Sequence, residues 1–217
     1  MPEIPLILKL KKQQQKEIAI AQDIIMKEVY NVFERAVLHG GTAIWRVYKG
    51  NRFSEDIDAY IPKDEKKINT LFENLQKKGC IIYKKKISKN SLFSNIGLQK
   101  TSVRFEALFK KPLPKGFLQE YITVDGNAIT VYALLPSQLI KEKVEAYLKR
   151  LKIRDLYDIF FLLRYIENKK EISQELKKLM ENFKKPIDEK ELRALIIEGI
   201  IPTTKEMLEY IYREGIK

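Results

Sequence analysis

Apolar positions follow three regimes along the chain. Between Leu10 and Ala36, residues Ile18, Ile20, Ile24, Ile25, Val29, Val32 and Phe33 recur at roughly helical spacing among Lys, Gln and Glu. That spacing predicts one long amphipathic helix. The short run from Ala36 to His39 reads as a buried strand ended by Gly40-Gly41. Thr42 to Tyr48 predicts a short helix broken by Lys49-Gly50-Asn51, and Asp56 to Ile61 an alternating strand stopped by Pro62. Lys66 to Lys78 is amphipathic again, with Ile68, Leu71, Phe72 and Leu75 on one side and Gly79 at its end.

The period then falls to two. Cys80 to Ile87, Leu92 to Leu98, Ser102 to Phe109, Gln119 to Val124 and Ala128 to Ala133 read as strands, and Asp125-Gly126-Asn127 as a hairpin turn between the last two. From Pro136 the pattern is helical. It predicts helices over Gln138 to Leu151, Ile153 to Asn168, Glu171 to Phe183, Glu189 to Gly199 and Thr203 to Glu214, with Pro136-Ser137 opening the first. Ser173, followed by Gln174 and Glu175, is a candidate cap for the third. There is no internal repeat. The shift near Pro136 predicts an α/β (α+β) N-terminal domain with a mixed sheet, residues 1–135, and a helical C-terminal domain, residues 136–217.

Composition changes this picture in two places. The chain has 217 residues, 45% of them hydrophobic, enough for one large core or two small domains. No apolar run approaches the ~18–20 residues of a membrane helix. The N-terminal order, apolar Ile4 to Leu10 and then lysines, is the reverse of a signal peptide. These features predict a cytoplasmic protein with no membrane association. Cys80 is the only cysteine, so no internal disulfide forms. The net charge of +12 suits a polyanion such as RNA. It equally suits the Lys/Glu/Ile-rich surface of heat-adapted proteins. Basic runs at Lys84-Lys85-Lys86, Lys110-Lys111, Lys149 to Arg154 and Lys184-Lys185 leave both readings open.

The candidate chemistry begins at residues 37–61. Asp56 and Asp58 are two apart, so on a strand both carboxylates point the same way. Such a pair suits Mg²⁺, a hard cation that takes carboxylate and phosphate oxygens together. The plain alternative is a solvated strand edge. Gly40 and Gly41 permit a sharp turn and close backbone approach, and the helix start after them suits phosphate oxygens, with Thr42 adding a hydroxyl. On the later strand Val103, Phe105, Ala107 and Phe109 share one face, leaving Arg104 and Glu106 on the other. Glu106 is either a third carboxylate, as metal ligand or general base, or a surface partner of Arg104. Farther on, Lys143 suits a triphosphate, Asp155 can orient Lys143, and Arg154 can reach a phosphate. Asp155 and Asp158 lie one helical turn apart. On residue pattern alone this cluster also reads as ordinary helix design, with acids near a helix start. His39 and Trp45 read as packing residues.

Leu38-His39-Gly40-Gly41-Thr42-Ala43, then Arg52-Phe53-Ser54-Glu55-Asp56-Ile57-Asp58, then Lys143 and Arg154-Asp155-Leu156-Tyr157-Asp158-Ile159, resemble the AbiEii/AbiGii toxin family of nucleotidyltransferases. The resemblance runs from about Val37 to Leu163. It implies a polymerase β-like nucleotidyltransferase core and Mg²⁺-dependent transfer from an NTP. It assigns phosphate or nucleotide binding to Gly40, Gly41, Thr42, Ser54, Lys143 and Arg154. Metal binding falls to Asp56 and Asp58, with Glu106 matched by strand position, and Asp155 becomes a further active-site acid. The helical domain would then complete the active-site cleft. The resemblance also implies a separately encoded antitoxin as partner. The chain differs from the family in a reduced helical C-terminus and in Arg154 where lysine is frequent.

The leading expectation is therefore transfer of a nucleotide to an RNA hydroxyl, with tRNA the expected acceptor, by in-line attack on the α-phosphorus with loss of pyrophosphate. Two alternatives stand beside it: the same chemistry on a protein or small molecule, and a non-catalytic module that binds RNA or a partner.

Overall fold

The computed structural model describes residues 5–216. Met1 to Ile4, where the N-terminal apolar stretch begins, and Lys217 lie outside the described residues. The chain forms two compact units. The first comprises Met1–Lys49 and Phe53–Leu134, and the second Gly50–Arg52 and Leu135–Lys217. The three-residue excursion Gly50–Arg52 falls between the Gly-Gly helix and the aspartate strand.

The first unit contains α1 (Leu6–Lys9), α2 (Gln13–Val32), β1 (Val37–His39), α3 (Gly40–Arg46), β2 (Ile57–Ile61), α4 (Glu65–Lys77), β3 (Ile81–Ile87), β4 (Ser91–Leu98), β5 (Thr101–Phe109), β6 (Phe117–Ile122) and β7 (Ala128–Ala133). The strands make one seven-stranded mixed sheet in the order β3-β4-β5-β2-β1-β7-β6. β1 pairs antiparallel with β2 and parallel with β7, and β2 pairs parallel with β5. The predicted Asp125-Gly126-Asn127 turn joins the antiparallel β6–β7 hairpin. Helix α2 packs on α4 and β5, and α3 on β1 and β2. The periodicity explains this layering. Ile18, Ile25 and Val29 of α2 and Ile68, Leu71 and Leu75 of α4 are buried. So are alternate residues of β2 and β5. Asp64 caps α4 by accepting from the Lys67 N–H, and Gly79 leaves that helix at φ +84°.

The second unit contains α5 (Pro136–Arg150), α6 (Ile153–Leu162), α7 (Ser173–Glu181), α8 (Leu192–Leu195) and α9 (Thr204–Gly215). Pro136 occupies the first turn of α5, and Thr203 with Glu206 forms a capping box on α9. Three helical expectations change here. The helix predicted to Asn168 ends at Leu162 and tightens into a 3₁₀ turn over Leu163–Tyr165. There the Arg164 and Lys169 side chains donate to the Phe161 and Leu163 carbonyls. The helix predicted over Glu189 to Gly199 shrinks to a 3₁₀ turn and α8, because Ile196 turns extended and forms an antiparallel bridge with Arg52. Ser173 does not cap α7. It is the first helical residue, its hydroxyl donates to the Lys170 carbonyl, and Ile172 holds the cap position. In the first unit, Gly40 and Gly41 lie inside α3 rather than in a turn before it.

Candidate active site

The sheet builds the first half of the candidate site. In the β2–β5 pairing Asp58 lies directly opposite Glu106, and in the β1–β2 pairing His39 lies opposite Asp58. Ile57, Ala59, Ile61, Val103, Phe105 and Ala107 turn into the core. Asp58 and Glu106 therefore emerge side by side on the other face. Tyr60 shares that face, and the His39 ring stacks on it at 4.1 Å between centroids. Asp56 precedes β2 by one residue, and Arg104 precedes Phe105, the partner of Ile57. The Arg104 guanidinium uses this adjacency: Nη2 pairs with Asp56 Oδ2, and Nε lies 3.3 Å from Glu106 Oε1.

Of the three expected metal carboxylates, Asp58 stands beside Glu106, and Asp56 is joined to Glu106 through Arg104. Among the described residues no three His, Cys, Asp or Glu side chains are grouped to hold a metal ion. Arg104 is paired with two of these three acids. Both readings of Glu106 meet here, since it partners Arg104 and also stands in register with Asp58.

Gly40 and Thr42 position the aspartates. Gly40 has φ +69°, and a Cβ there would overlap the Asp58 carboxylate. Only glycine lets that carboxylate lie against the start of α3. Thr42 is fully buried and its hydroxyl donates to the Asp56 carbonyl. The hydroxyl expected as a phosphate donor is here engaged with the backbone. Its hydrogen is already used, and it fixes the loop entering β2. Ser54 is buried, and its carbonyl accepts from Gln22 Nε2 at 2.8 Å, tying the same loop to α2.

The helical unit holds a second cluster. Lys143 on α5 lies 2.8 Å from Asp158 and 3.4 Å from Asp155, both on α6. Arg52 donates to both oxygens of Asp158 at 2.8 and 2.9 Å, and Arg150 to both oxygens of Asp155 at 2.7 Å. Asp155 and Asp158 are 0% exposed and Lys143 7%. Burial pushes the Asp158 carboxyl up, but the Arg52 and Lys143 charges outweigh it and hold the group below its ordinary value. Burial lowers the Arg52 guanidinium, and the Asp158 charge and hydrogen bonds more than restore it. The turn between the two helices is fixed from elsewhere in the unit. Leu151 is left-handed at φ 52°, and Asp188 accepts the otherwise uncapped Ile153 N–H at 2.7 Å. Arg154 is half-buried in the first turn of α6. The structure therefore brings Lys143 and Asp155 together as expected and adds Arg52, Asp158 and Arg150.

Residues 25–209 match the family model described as nucleotidyl transferase AbiEii toxin, type IV TA system. The chain belongs to this family. It is a nucleotidyltransferase, and the seven-stranded mixed sheet with its helices is the polymerase β-like fold of that enzyme class. Solved structures share the fold. The nucleotidyltransferase toxin MenT4 from Mycobacterium tuberculosis H37Rv matches with a TM-score of 0.63 and 14% identity, over 97% of this chain and 86% of its own. JHP933 from Helicobacter pylori gives 0.60 and 18%, over 95% and 90%. A further nucleotidyltransferase structure from H. pylori, described as putative in its name, gives 0.59 and 19%, over 94% and 93%. No curated protein matches the sequence.

Arg52, Asp158, Arg150, Gln22, and Arg104 as a partner of Asp56 escaped sequence reasoning in their present roles. The place of Arg104 on the Glu106 face follows from strand alternation, whereas Gln22 and Arg52 depend on contacts across 32 and 106 residues of chain.

Proposed function

We propose that this enzyme transfers a nucleoside monophosphate from an NTP to a hydroxyl of tRNA, with Mg²⁺ held by Asp56 and Asp58 and aided by Glu106. One observation carries the proposal: the register that sets Asp58 beside Glu106 on an open sheet face, with the Asp58 carboxylate against the glycine that opens α3. The donor set suits a hard divalent cation, being carboxylate oxygens with a displaceable cation beside them. Mg²⁺, when bound, supplies charge to the transferring phosphoryl group and the leaving pyrophosphate. The chain's own residues do the rest. Gly40 and Gly41 admit phosphate oxygens close to the backbone, Thr42 and Gln22 hold the loop that presents Asp56, and Glu106 accepts the proton of the attacking hydroxyl.

For the helical unit we retain the family assignment of Lys143 as a nucleotide contact, with Asp155 holding its ammonium and Arg154 as a further phosphate contact. The +12 charge and the exposed lysines of β3 favour a polyanionic acceptor. Among the described residues no helix is long and apolar enough to cross a membrane. A cytoplasmic site, where NTP and tRNA are found, fits this reading. The type IV toxin–antitoxin description of the family supports a separately encoded antitoxin as partner.

Incubation with each α-labelled NTP, Mg²⁺, and either total tRNA or cell protein tests the proposal, with Asp58→Ala as the comparison. Label on tRNA that disappears in the variant is expected. Label confined to protein would replace the acceptor, and no label under any condition would overturn the reading.

A further inference from the structure

Arg104 is a cation paired with the acidic face of β2 and β5, and its geometry assigns it a part in metal loading. It reaches Asp56 through Nη2 and Glu106 through Nε, so one planar fork spans two of the three acids that the proposed chemistry needs. We propose that Arg104 is a built-in counter-ion of the metal site, neutralising Asp56 and Glu106 until a divalent cation displaces it. This rests on the reading of Asp56, Asp58 and Glu106 as metal ligands.

Three observations support the assignment. First, the position of Arg104 is fixed by strand register. Phe105 lies opposite Ile57 and Glu106 opposite Asp58, and Arg104 and Asp56 directly precede the first of these pairs and meet. Second, a guanidinium cannot shed its proton near neutral pH, so a metal ion approaching these carboxylates meets a full positive charge. Third, the side chain has somewhere to go. Its pairs are partly in water, with exposures of 43% for Arg104, 27% for Asp56 and 41% for Glu106. A second arginine–carboxylate pair of the unit, Arg46–Asp23, is enclosed, with the Arg46 side chain 0% exposed. An exposed pair exchanges partners readily, whereas an enclosed one does not. The expected consequence is weak binding of a divalent cation alone.

Titration of the full-length protein with Mn²⁺, followed by the electron paramagnetic resonance of the free ion, tests this without reference to transfer activity. Arg104→Gln should bind Mn²⁺ roughly tenfold more tightly than wild type. Arg104→Lys, which keeps the charge, should stay near wild type. Adding Asp58→Asn to Arg104→Gln should abolish the gain. If Arg104→Gln binds no tighter while Asp58→Asn still removes binding, the counter-ion role falls and the metal site stands. Mn²⁺ binding indifferent to Asp58→Asn would overturn both.

Discussion

The two units carry networks of the same ingredients in opposite surroundings. In the sheet unit, Arg104 pairs with Asp56 and Glu106 in partial contact with water. In the helical unit, Arg52 and Lys143 share Asp158, and Lys143 and Arg150 share Asp155, with both aspartates sealed from solvent. The difference is energetic before it is functional. A half-exposed pair contributes about 0–1 kcal/mol, since water replaces whatever is lost. A buried group that loses its partner cannot be rescued by water, and breaking such a pair costs about 3–5 kcal/mol. The helical cluster is thus a fixed frame that holds Lys143 in one place, while the sheet cluster is exchangeable.

The largest effect should come from Asp158→Ala. It leaves the Arg52 guanidinium and one face of Lys143 buried without their carboxylate, so a loss of about 3–5 kcal/mol is expected in urea unfolding followed by far-ultraviolet circular dichroism. Trp45, the only tryptophan, lies in the sheet unit and reports that unit separately by fluorescence. A loss below about 1 kcal/mol would erase the contrast between the clusters. The acid limb carries a second signature. Because the folded Asp158 carboxyl lies below its ordinary value, its contribution is present above the unfolded value of about 4 and fades as pH falls through the folded value. Asp158→Asn should therefore differ most from wild type near neutral pH and converge with it in acid.

The same contrast explains what the sequence reveals. Alternation in Val103-Arg104-Phe105-Glu106-Ala107 and in Ile57-Asp58-Ala59 is local, and it placed Asp58, Glu106 and Arg104 on polar strand faces before any contact was known. The strand set and the β6–β7 hairpin are legible for the same reason. Helix ends are less so. Leu162 ends α6 because Arg164 and Lys169 take its terminal carbonyls, and α8 is cut short by the Arg52–Ile196 bridge across 144 residues (196 − 52). No local window contains that partner. The helical cluster was half legible: Asp155 orienting Lys143 across the helix pair stood open beside ordinary helix design, but Asp158 as the shared acceptor depends on Arg52, 106 residues away. A hydroxyl after Gly-Gly suits phosphate, and only the fold reveals that the Thr42 hydroxyl donates to the Asp56 carbonyl.

An intermediate effect is expected from Gly40→Ala, which probes how far the exchangeable cluster depends on fixed backbone. A non-glycine residue at φ +69° costs about 1–2 kcal/mol. The new methyl would also overlap the Asp58 carboxylate, which must move. Stability should fall by about 1–3 kcal/mol. Nucleotide transfer should fall on the order of 100-fold, because an Å-scale displacement near reacting groups is enough to do so. Retention of wild-type transfer would show that Asp58 need not sit against α3.

The smallest effect on stability, and the sharpest test of the contrast, belongs to Arg104→Gln. It removes both ion pairs of the sheet cluster at once, yet the acids released are 27% and 41% exposed and can hydrate. The cost of folding Asp56 and Glu106 near each other without a cation is a repulsion between partly solvated charges, screened further at physiological salt. The change in unfolding free energy should therefore stay within about 1 kcal/mol, and should shrink as salt is raised. The same substitution would be severe at Arg52, where a sealed carboxylate would lose two hydrogen bonds and keep Lys143 at one oxygen. If Arg104→Gln proved as damaging as a change at Arg52, Arg104 would belong to the frame of the sheet and could not also be the group that yields its place to a metal ion.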